Sequence, residues 1–349
     1  MIEIESQCLL TIAIPTYNRL DCLVLSLETL FKQTQSSQLL GHQLNILVCN
    51  NASTDGTTEY LDSIVNIYGV QVHHHTTNCG ADANILFCCQ SAKTKYVWIV
   101  GDDDVIVDGA VTLVIDCLIH NKPDLLYLPS LWVTDTRAEH LKTTIASTEF
   151  KVLNALRLAA QSSVYVTFIS AWIVNLEAYH ALAQSPQLDR YCNTSLLQLE
   201  WHFTLIKSGS KLMMAKDVMV IARSGCSGGY ALFDTFSHQY NRIVDDKFAD
   251  NSQLLKFYRK NMLWCHIPGL VWGIRHNKIG NFAEFDKAET ISILKSAYDH
   301  NIFFNLIIYP MIKFNKPVAF CFWFIARCLS KLHTYLNKPE LFKYRINFK

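Results

Sequence analysis

"KYVWIVGDDDVIVDG", residues 95–109, is the stretch on which the fold turns. Its apolar run, residues 97–100, is short and continuous, as a strand buried on both faces should be. The run breaks at Gly101 straight into Asp102, Asp103 and Asp104. Neighbouring carboxylates at the mouth of a buried strand repel one another, so the fold needs something cationic among them. Capping of the next helix does not account for the triplet, because Asp108 is the residue placed for that task. An EF-hand is excluded too, since the Asp spacing and the closing Glu are missing.

The same alternation runs outward from this strand in both directions. Upstream, "LLTIAI" (9–14), "NILVCN" (45–50) and "VQVHHH" (70–75) read as strands, and 96–101 is the fourth. Helical spacing fills the gaps at 20–33, 56–66 and 82–92, and a further helix capped by Asp108 runs to about His120 before a strand at 124–129. Such an order predicts an α/β fold: a mostly parallel, Rossmann-like sheet flanked by helices and wound with right-handed crossovers. Downstream the reading is a strand or hairpin limb at 164–174, a helix at 194–206 and one or two strands within 211–223. A glycine-rich loop at 224–230 follows, and after about 236 the chain becomes helical and aromatic-rich.

In an open parallel sheet, ligands sit beyond the carboxyl ends of the strands. Here those ends lead into "PTYNR" (15–19), "NNASTDGT" (50–57), "TTNCGADAN" (76–84) and "GDDD" (101–104). Each of the first three loops can be read as a turn or a helix cap. Their convergence on one edge is the stronger signal. The run His73–His75 reads as a strand end rather than a metal site, since same-face ligands need alternate positions and no third ligand is in view.

Composition narrows the class. The 349 residues carry 31 Lys and Arg against 30 Asp and Glu, so no global field attracts nucleic acid. Twelve cysteines without a CxxC pair argue for free thiols in a reducing cytosol rather than a disulfide or zinc scaffold. Glu3 and Glu5 sit where an export signal carries positive charge, and no apolar run is long enough to span a bilayer. There is neither GxxxxGK[ST] nor GxGxxG after the first strand, which argues against a P-loop NTPase and a nicotinamide enzyme. Mg2+ or Mn2+ takes one or two carboxylates and completes its shell with phosphate oxygens, so Asp102 and Asp104, or the adjacent pair, are the candidate metal ligands. Without a phosphate-cradling glycine loop, the pattern suits an enzyme in which diphosphate is the leaving group.

The segments "LTIAIPTYNR", "ILVCNNASTDGTTEYL", "NCGADANI" and "YVWIVGDDD" resemble, in order and spacing, the family 2 glycosyltransferases with a GT-A fold, in particular the abequosyltransferase-like sugar transferases of O-antigen synthesis. The resemblance covers residues 9–130 well and continues weakly to about 230. It implies that Pro15, Thr16, Tyr17, Asn18 and Arg19 lie near the nucleotide, and that Asp102, Asp103 and Asp104 form the metal–diphosphate motif. Asn50 and Asn51 fall where many relatives have an Asp pair that accepts from uracil. Amides donate as well as accept, so cytosine becomes admissible. Asp55 and Asn84 complete the donor-binding set, with Ala83 where relatives carry a basic residue. Arg223, before the glycine-rich loop, is a candidate for the diphosphate in a closing lid.

The resemblance also implies an inverting transfer with a general base some 90–100 residues after the metal motif. The region is "LDRYCNTSLLQLEWHF" (188–203), with Glu200 the first candidate and Asp189 the second. His202 could assist either, and some relatives carry His where Gln198 stands. The sequence therefore predicts a glycosyltransferase domain over 1–235, with a nucleotide-sugar half to about 130 and an acceptor half beyond. A helical region, 236–349, follows. From Lys313 onward, Lys316, Arg327, Lys331, Lys338, Lys343, Arg345 and Lys349 face one acid, Glu340, among Phe320, Phe322, Trp323 and Phe324. That mixture suggests an interfacial anchor on the inner face of the cell membrane, beside a lipid-linked oligosaccharide acceptor. The competing readings are an inactive nucleotide-sugar-binding module and a nucleotidyltransferase. "PTYNRL" lacks the glycine- and lysine-rich first loop usual in the latter.

Overall fold

The computed structural model describes residues 8–37, 43–134, 144–183, 187–224, 231–276 and 285–337. The chain divides into two compact units, one of residues 1–153 with 167–224, the other of 154–166 with 225–349. These compact units part at 224, and the domain boundary expected from the sequence is 235. The segment 154–166, placed by its sequence position in the first domain, belongs to the helical unit, where Ser163 and Asn261 hydrogen-bond through their side chains.

The first unit is built on β1 (Leu10–Thr16), β2 (Leu44–Asn50), β3 (Gln71–His74) and β4 (Tyr96–Ile99), parallel in the order β3-β2-β1-β4. Leu10, Ile12 and Ile14 alternate with Thr11 and Ala13 along β1, and all five are buried, so both faces of the strand are covered. The helices α1 (Leu20–Ser37), α2 (Thr57–Tyr68) and α3 (Ala81–Ser91) make the crossovers. On α1, Leu23, Leu27, Leu30, Phe31 and Thr34 are buried at the spacing of one helical face.

Beyond β4 the chain makes a short strand, β5 (Val105–Ile106), then α4 (Ala110–Asn121) and β6 (Leu125–Tyr127). Asp108 does not cap α4. Gly109 holds the N-cap position with φ 85°, and Asp108 instead accepts from Thr144 Oγ1 at 3.2 Å. The stretch 164–174 is not one strand. It forms two short helical turns, Ser163–Thr167 and Ile169–Ala171, before β9 (Trp172–Asn175). This β9 enters the sheet antiparallel between β4 and β6. With β10 (Leu212–Ala215) parallel to β6 and β8 (Phe150–Leu153) antiparallel at the edge, the sheet has eight strands, six in one direction. A second small sheet joins β5, β11 (Val220–Ser224) and β7 (Ser130–Thr134).

The helix expected at 194–206 begins later, at Leu199, and runs to Ser208 after a series of turns over 188–195. All eight residues from Leu199 to Ile206 are buried, so this helix lies inside the unit. The second unit is helical throughout its described residues, with a core around Tyr240, Phe248, Tyr258, Met262 and Phe304. None of the eleven described cysteines forms a disulfide, and no helix among the described residues is long and apolar enough to cross a membrane.

Candidate active site

Parallel pairing brings the carboxyl ends of β1 to β4 to one edge, with Thr16 opposite Asn50 and Asn50 opposite His74. The loops there are stitched to each other. Asn18, at φ 50°, donates its N–H to Ser53 Oγ (2.9 Å) and accepts from Thr54 N (2.7 Å). Asp55 accepts from Leu20 N (3.0 Å) and from Thr57 Oγ1 (2.6 Å), so it caps α1 from the neighbouring loop. Thr16 is buried, whereas Tyr17 stands exposed on the edge.

The acid turn is held from beneath. Thr16 Oγ1 donates to Asp102 Oδ2 at 2.7 Å, and Arg19 Nη1 meets Asp102 Oδ1 at 3.0 Å and Asp103 Oδ2 at 3.2 Å. Asp104 accepts from Ser170 Oγ at 2.5 Å, and Ser170 Oγ in turn accepts from Gly101 N at 2.9 Å. A Cβ on Gly101 would lie 2.9 Å from both Asp103 Oδ1 and Asp104 Oδ2, so a side chain there would displace the carboxylates. Arg223 Nε donates to the Asp103 carbonyl and Nη2 to Cys22 O (3.2 Å), so this arginine braces the turn through its backbone. Burial raises the Asp102 pKa to about 6, against the opposing pull of Arg19. Burial, and then the Asp103 charge, push Asp104 well above the carboxylate range.

The amides of β2 and α3 face inward. Asn50 donates to Thr58 Oγ1 (2.9 Å), pairs with His74 Nδ1 (3.0 Å) and accepts from Ser53 N (3.0 Å). Asn51 donates to Asn78 Oδ1 (2.9 Å) and Gly80 O (3.3 Å) and accepts from Cys79 N (2.9 Å). Asn84 donates to Cys49 O (2.9 Å) and pairs with His75 Nε2 (3.2 Å). These three residues shape the 76–80 loop and fix α3 on the sheet. The histidine run is absorbed in the same way, with His73 stacked on Phe87 at 4.1 Å. Among the described residues no group of three His, Cys, Asp or Glu could hold a metal.

Asp82, at the start of α3, is a residue the sequence reading passed over. Its Oδ2 accepts from Thr194 N (2.9 Å) and Ser195 N (3.0 Å), and Asn193 and Ser195 have φ of 65° and 60°. Burial raises the Asp82 pKa, and these backbone N–H groups oppose the shift. The contact ties the turns over 188–195 to the start of α3. Asp189 is exposed on those turns. Glu200 is buried and accepts from Tyr179 Oη at 3.2 Å, while Gln198 Nε2 donates to Thr167 O at 2.6 Å. His202 is buried beside Trp172, the ring centroids 5.0 Å apart.

The family model for glycosyl transferase family 2 matches residues 11–169, the strands and loops just described. This chain carries a family 2 glycosyltransferase domain. Abequosyltransferase RfbV of Salmonella typhimurium is 32% identical over 107 residues, 30% of this chain, and the match spans 31% of that relative. Two solved structures share the GT-A fold across almost the whole chain. Residues 1–349 of S. aureus TarS in complex with UDP-GlcNAc superpose with a TM-score of 0.59 at 14% identity, covering 97% of this chain and 93% of TarS. The Pyrobaculum calidifontis mannosyltransferase PcManGT, in complex with GDP-Man and Mn2+, gives 0.52 at 15% identity, covering 93% and 86%.

In the glycosyltransferase domain, the acid turn holds three neighbouring carboxyl groups, two of which ion-pair directly with Arg19. That set is short of positive charge and offers only oxygen donors, which is the chemistry of a hard divalent cation. Asp102, Asp103, Asp104, Thr16 and Arg19 are therefore brought together. Asn50, Asn51, Asp55, Asn84 and Arg223 support them from behind. Ser170 escaped the sequence reading because its segment looked like plain strand.

Proposed function

We propose that the chain is an inverting glycosyltransferase, moving a sugar from a nucleoside-diphosphate donor to a lipid-linked glycan in cell-surface polysaccharide synthesis. The observation that carries this reading is the link from Thr16 and Arg19 of the first loop to Asp102 and Asp103 of the acid turn. It builds a charged, half-neutralised edge beside an exposed aromatic, Tyr17, as a nucleoside diphosphate needs. The donors named for TarS and PcManGT belong to that class, and the Salmonella relative is named an abequosyltransferase.

In this reaction an acceptor hydroxyl attacks the anomeric carbon opposite the diphosphate. Its proton passes to a protein carboxylate as the bond from the anomeric carbon to the diphosphate oxygen breaks. When bound, Mn2+ or Mg2+ stabilises the departing diphosphate, with Asp102 and Asp104 the residues that would hold it and Asp103 beside them. Arg19 sets the orientation of Asp102 and Asp103, and Arg223 fixes the backbone on which they turn. We assign the proton to Asp189, which is exposed on the turns that Asp82 secures. Glu200, closed in against Tyr179, serves that segment as an internal anchor. With Asn50 and Asn51 turned inward, the base of the donor is read by Tyr17 and the 76–80 loop, and uracil has no carboxylate to select it.

A second reading, a nucleotide-sugar-binding module without catalysis, draws on the burial of Glu200. One experiment separates the two. Thermal stability is followed with UDP, CDP, GDP, ADP and dTDP, each with Mn2+ and with chelator, and hydrolysis of the matching nucleotide sugar is then assayed. A ligand at about 100 times its Kd stabilises by roughly 2.7 kcal/mol. A metal-dependent shift with turnover supports the transferase. A shift without turnover supports the binding module, and no shift with any diphosphate sinks both.

A further inference from the structure

The helix Lys316–Asn337 is built inside out for a protein in water. The positions it buries are Ala319, Ala326 and His333, seven apart, a narrow seam of small or polar side chains. Its bulk points the other way. Phe320, Phe324, Ile325, Leu332, Tyr335 and Leu336 are all exposed, Phe324 by 57%, Leu332 by 54% and Leu336 by 69%. At 100° per residue these six fall within one sector of about 160°. The cations Lys316, Arg327 and Lys331 are exposed along one margin of that sector, and the helix contains no Asp or Glu. Trp323 lies at the boundary, with the Arg327 guanidinium 4.9 Å from its ring. Phe314, exposed just before the helix, continues the apolar surface through its ring contact with Phe322 at 6.2 Å.

Scattered exposed apolar residues need no explanation, but a continuous face of this size does. A surface helix folded for water buries its large residues and exposes its charges. Here the large residues lie outside and the cations rim them, which matches a helix lying in the plane of a bilayer interface. The apolar sector then enters the acyl boundary, and the cations meet lipid phosphates. An aqueous protein partner would not call for cations without a single acid along the rim, whereas an anionic lipid surface does.

We infer that this helix docks on an anionic membrane surface through the face carrying Phe320, Phe324 and Leu332, with Arg327 and Lys331 at the headgroups. The inference rests on the helix's own faces and not on the transferase reading. If the acceptor is lipid-linked, the same contact would hold the enzyme at its substrate.

The test is co-sedimentation of the full chain with vesicles of phosphatidylcholine alone and of phosphatidylcholine with phosphatidylglycerol, across a salt series. The expected result is binding that needs the anionic lipid and weakens with salt. Arg327→Gln and Lys331→Gln should each cost about five-fold in partitioning, the equivalent of about 1 kcal/mol per charge near the surface. Phe324→Glu should cost at least about ten-fold through lost apolar insertion. Because these side chains are exposed, the variants should melt with the parent, and the wild-type result stands whether or not they do. Failure of the wild-type chain to bind either vesicle overturns the inference. So does binding that well-folded Phe324→Glu leaves unchanged. A dimer that Leu332→Glu dissociates, with no vesicle binding, would assign the face to a second copy instead.

Discussion

One nitrogen, Nη1 of Arg19, reaches Asp102 at 3.0 Å and Asp103 at 3.2 Å. The repulsion that the acidic triplet imposes is therefore met from within the chain, by the loop after β1. Thr16 and Ser170 supply hydroxyls to the flanking carboxylates, and Arg19 supplies a charge that bridges two of the three. The proposed donor site and the stability of this edge consequently share a residue.

Arg19→Ala should leave Asp102 and Asp103 facing each other with no counter-charge. Removing one partner of a fully buried pair costs 3–5 kcal/mol, and Arg19 is about a third exposed, so about 2 kcal/mol is expected. Adding Asp102→Asn should recover most of that loss, because the orphaned charge is then gone. Urea unfolding of the two single variants and the double variant checks this. Strictly additive costs would mean that Arg19 is not the counter-ion.

Asn51→Asp replaces an amide donor by an oxygen aimed at Asn78 Oδ1 and Gly80 O. Two lost hydrogen bonds and a new repulsion should cost about 1–3 kcal/mol. Although it restores the acid found in many relatives, the change should not create a preference for UDP, since the side chain points at the 76–80 loop. Nucleotide binding beside chemical unfolding tests both halves of this expectation.

The strand–loop rhythm made four parallel βα units and their shared loop edge legible in the sequence, because each apolar run ends in a polar loop. The acid turn was legible for the same reason. What the sequence concealed depends on long-range placement. Nothing local tells "WIVN" to insert antiparallel between β4 and β6, or Ser170 to rise under Asp104, 66 residues away. The Asp82 contact spans 112 residues. The burial of Glu200 was hidden too, because Leu199–Ile206 is buried on every side and its helical spacing carries no information about which residues meet solvent.

Asp189 and Glu200 should separate by what their loss does. Asp189→Asn should reduce turnover by about 10²–10⁴-fold, the range for a general base, with donor binding and melting temperature unchanged. Glu200→Gln keeps the shape of the side chain and an acceptor for Tyr179, so its effect on turnover should be small. Glu200→Leu should instead lower stability by about 1–3 kcal/mol, because Tyr179 Oη loses its acceptor. Turnover lost in Glu200→Gln and kept in Asp189→Asn would reverse the two roles.

The helical unit should be sensitive to acid through His266. Its Nε2 is sealed from water with no hydrogen-bond partner, although part of the residue reaches the surface, and Phe236 packs against the ring at 4.6 Å. Burial lowers its pKa from 6.5 to about 4. Between those values the unfolded chain binds the proton and the folded chain does not, so stability rises with pH across the window. The contribution is complete above about pH 6.5 and is lost as the pH falls towards 4, with a slope of up to about 1.4 kcal/mol per pH unit. His266→Phe keeps the ring packing and removes the proton site, so its stability should change less over that range. Urea midpoints measured across the window for both proteins decide the matter: parallel curves would place the acid sensitivity on other groups, and a steeper fall towards low pH in the parent than in His266→Phe would place it on His266.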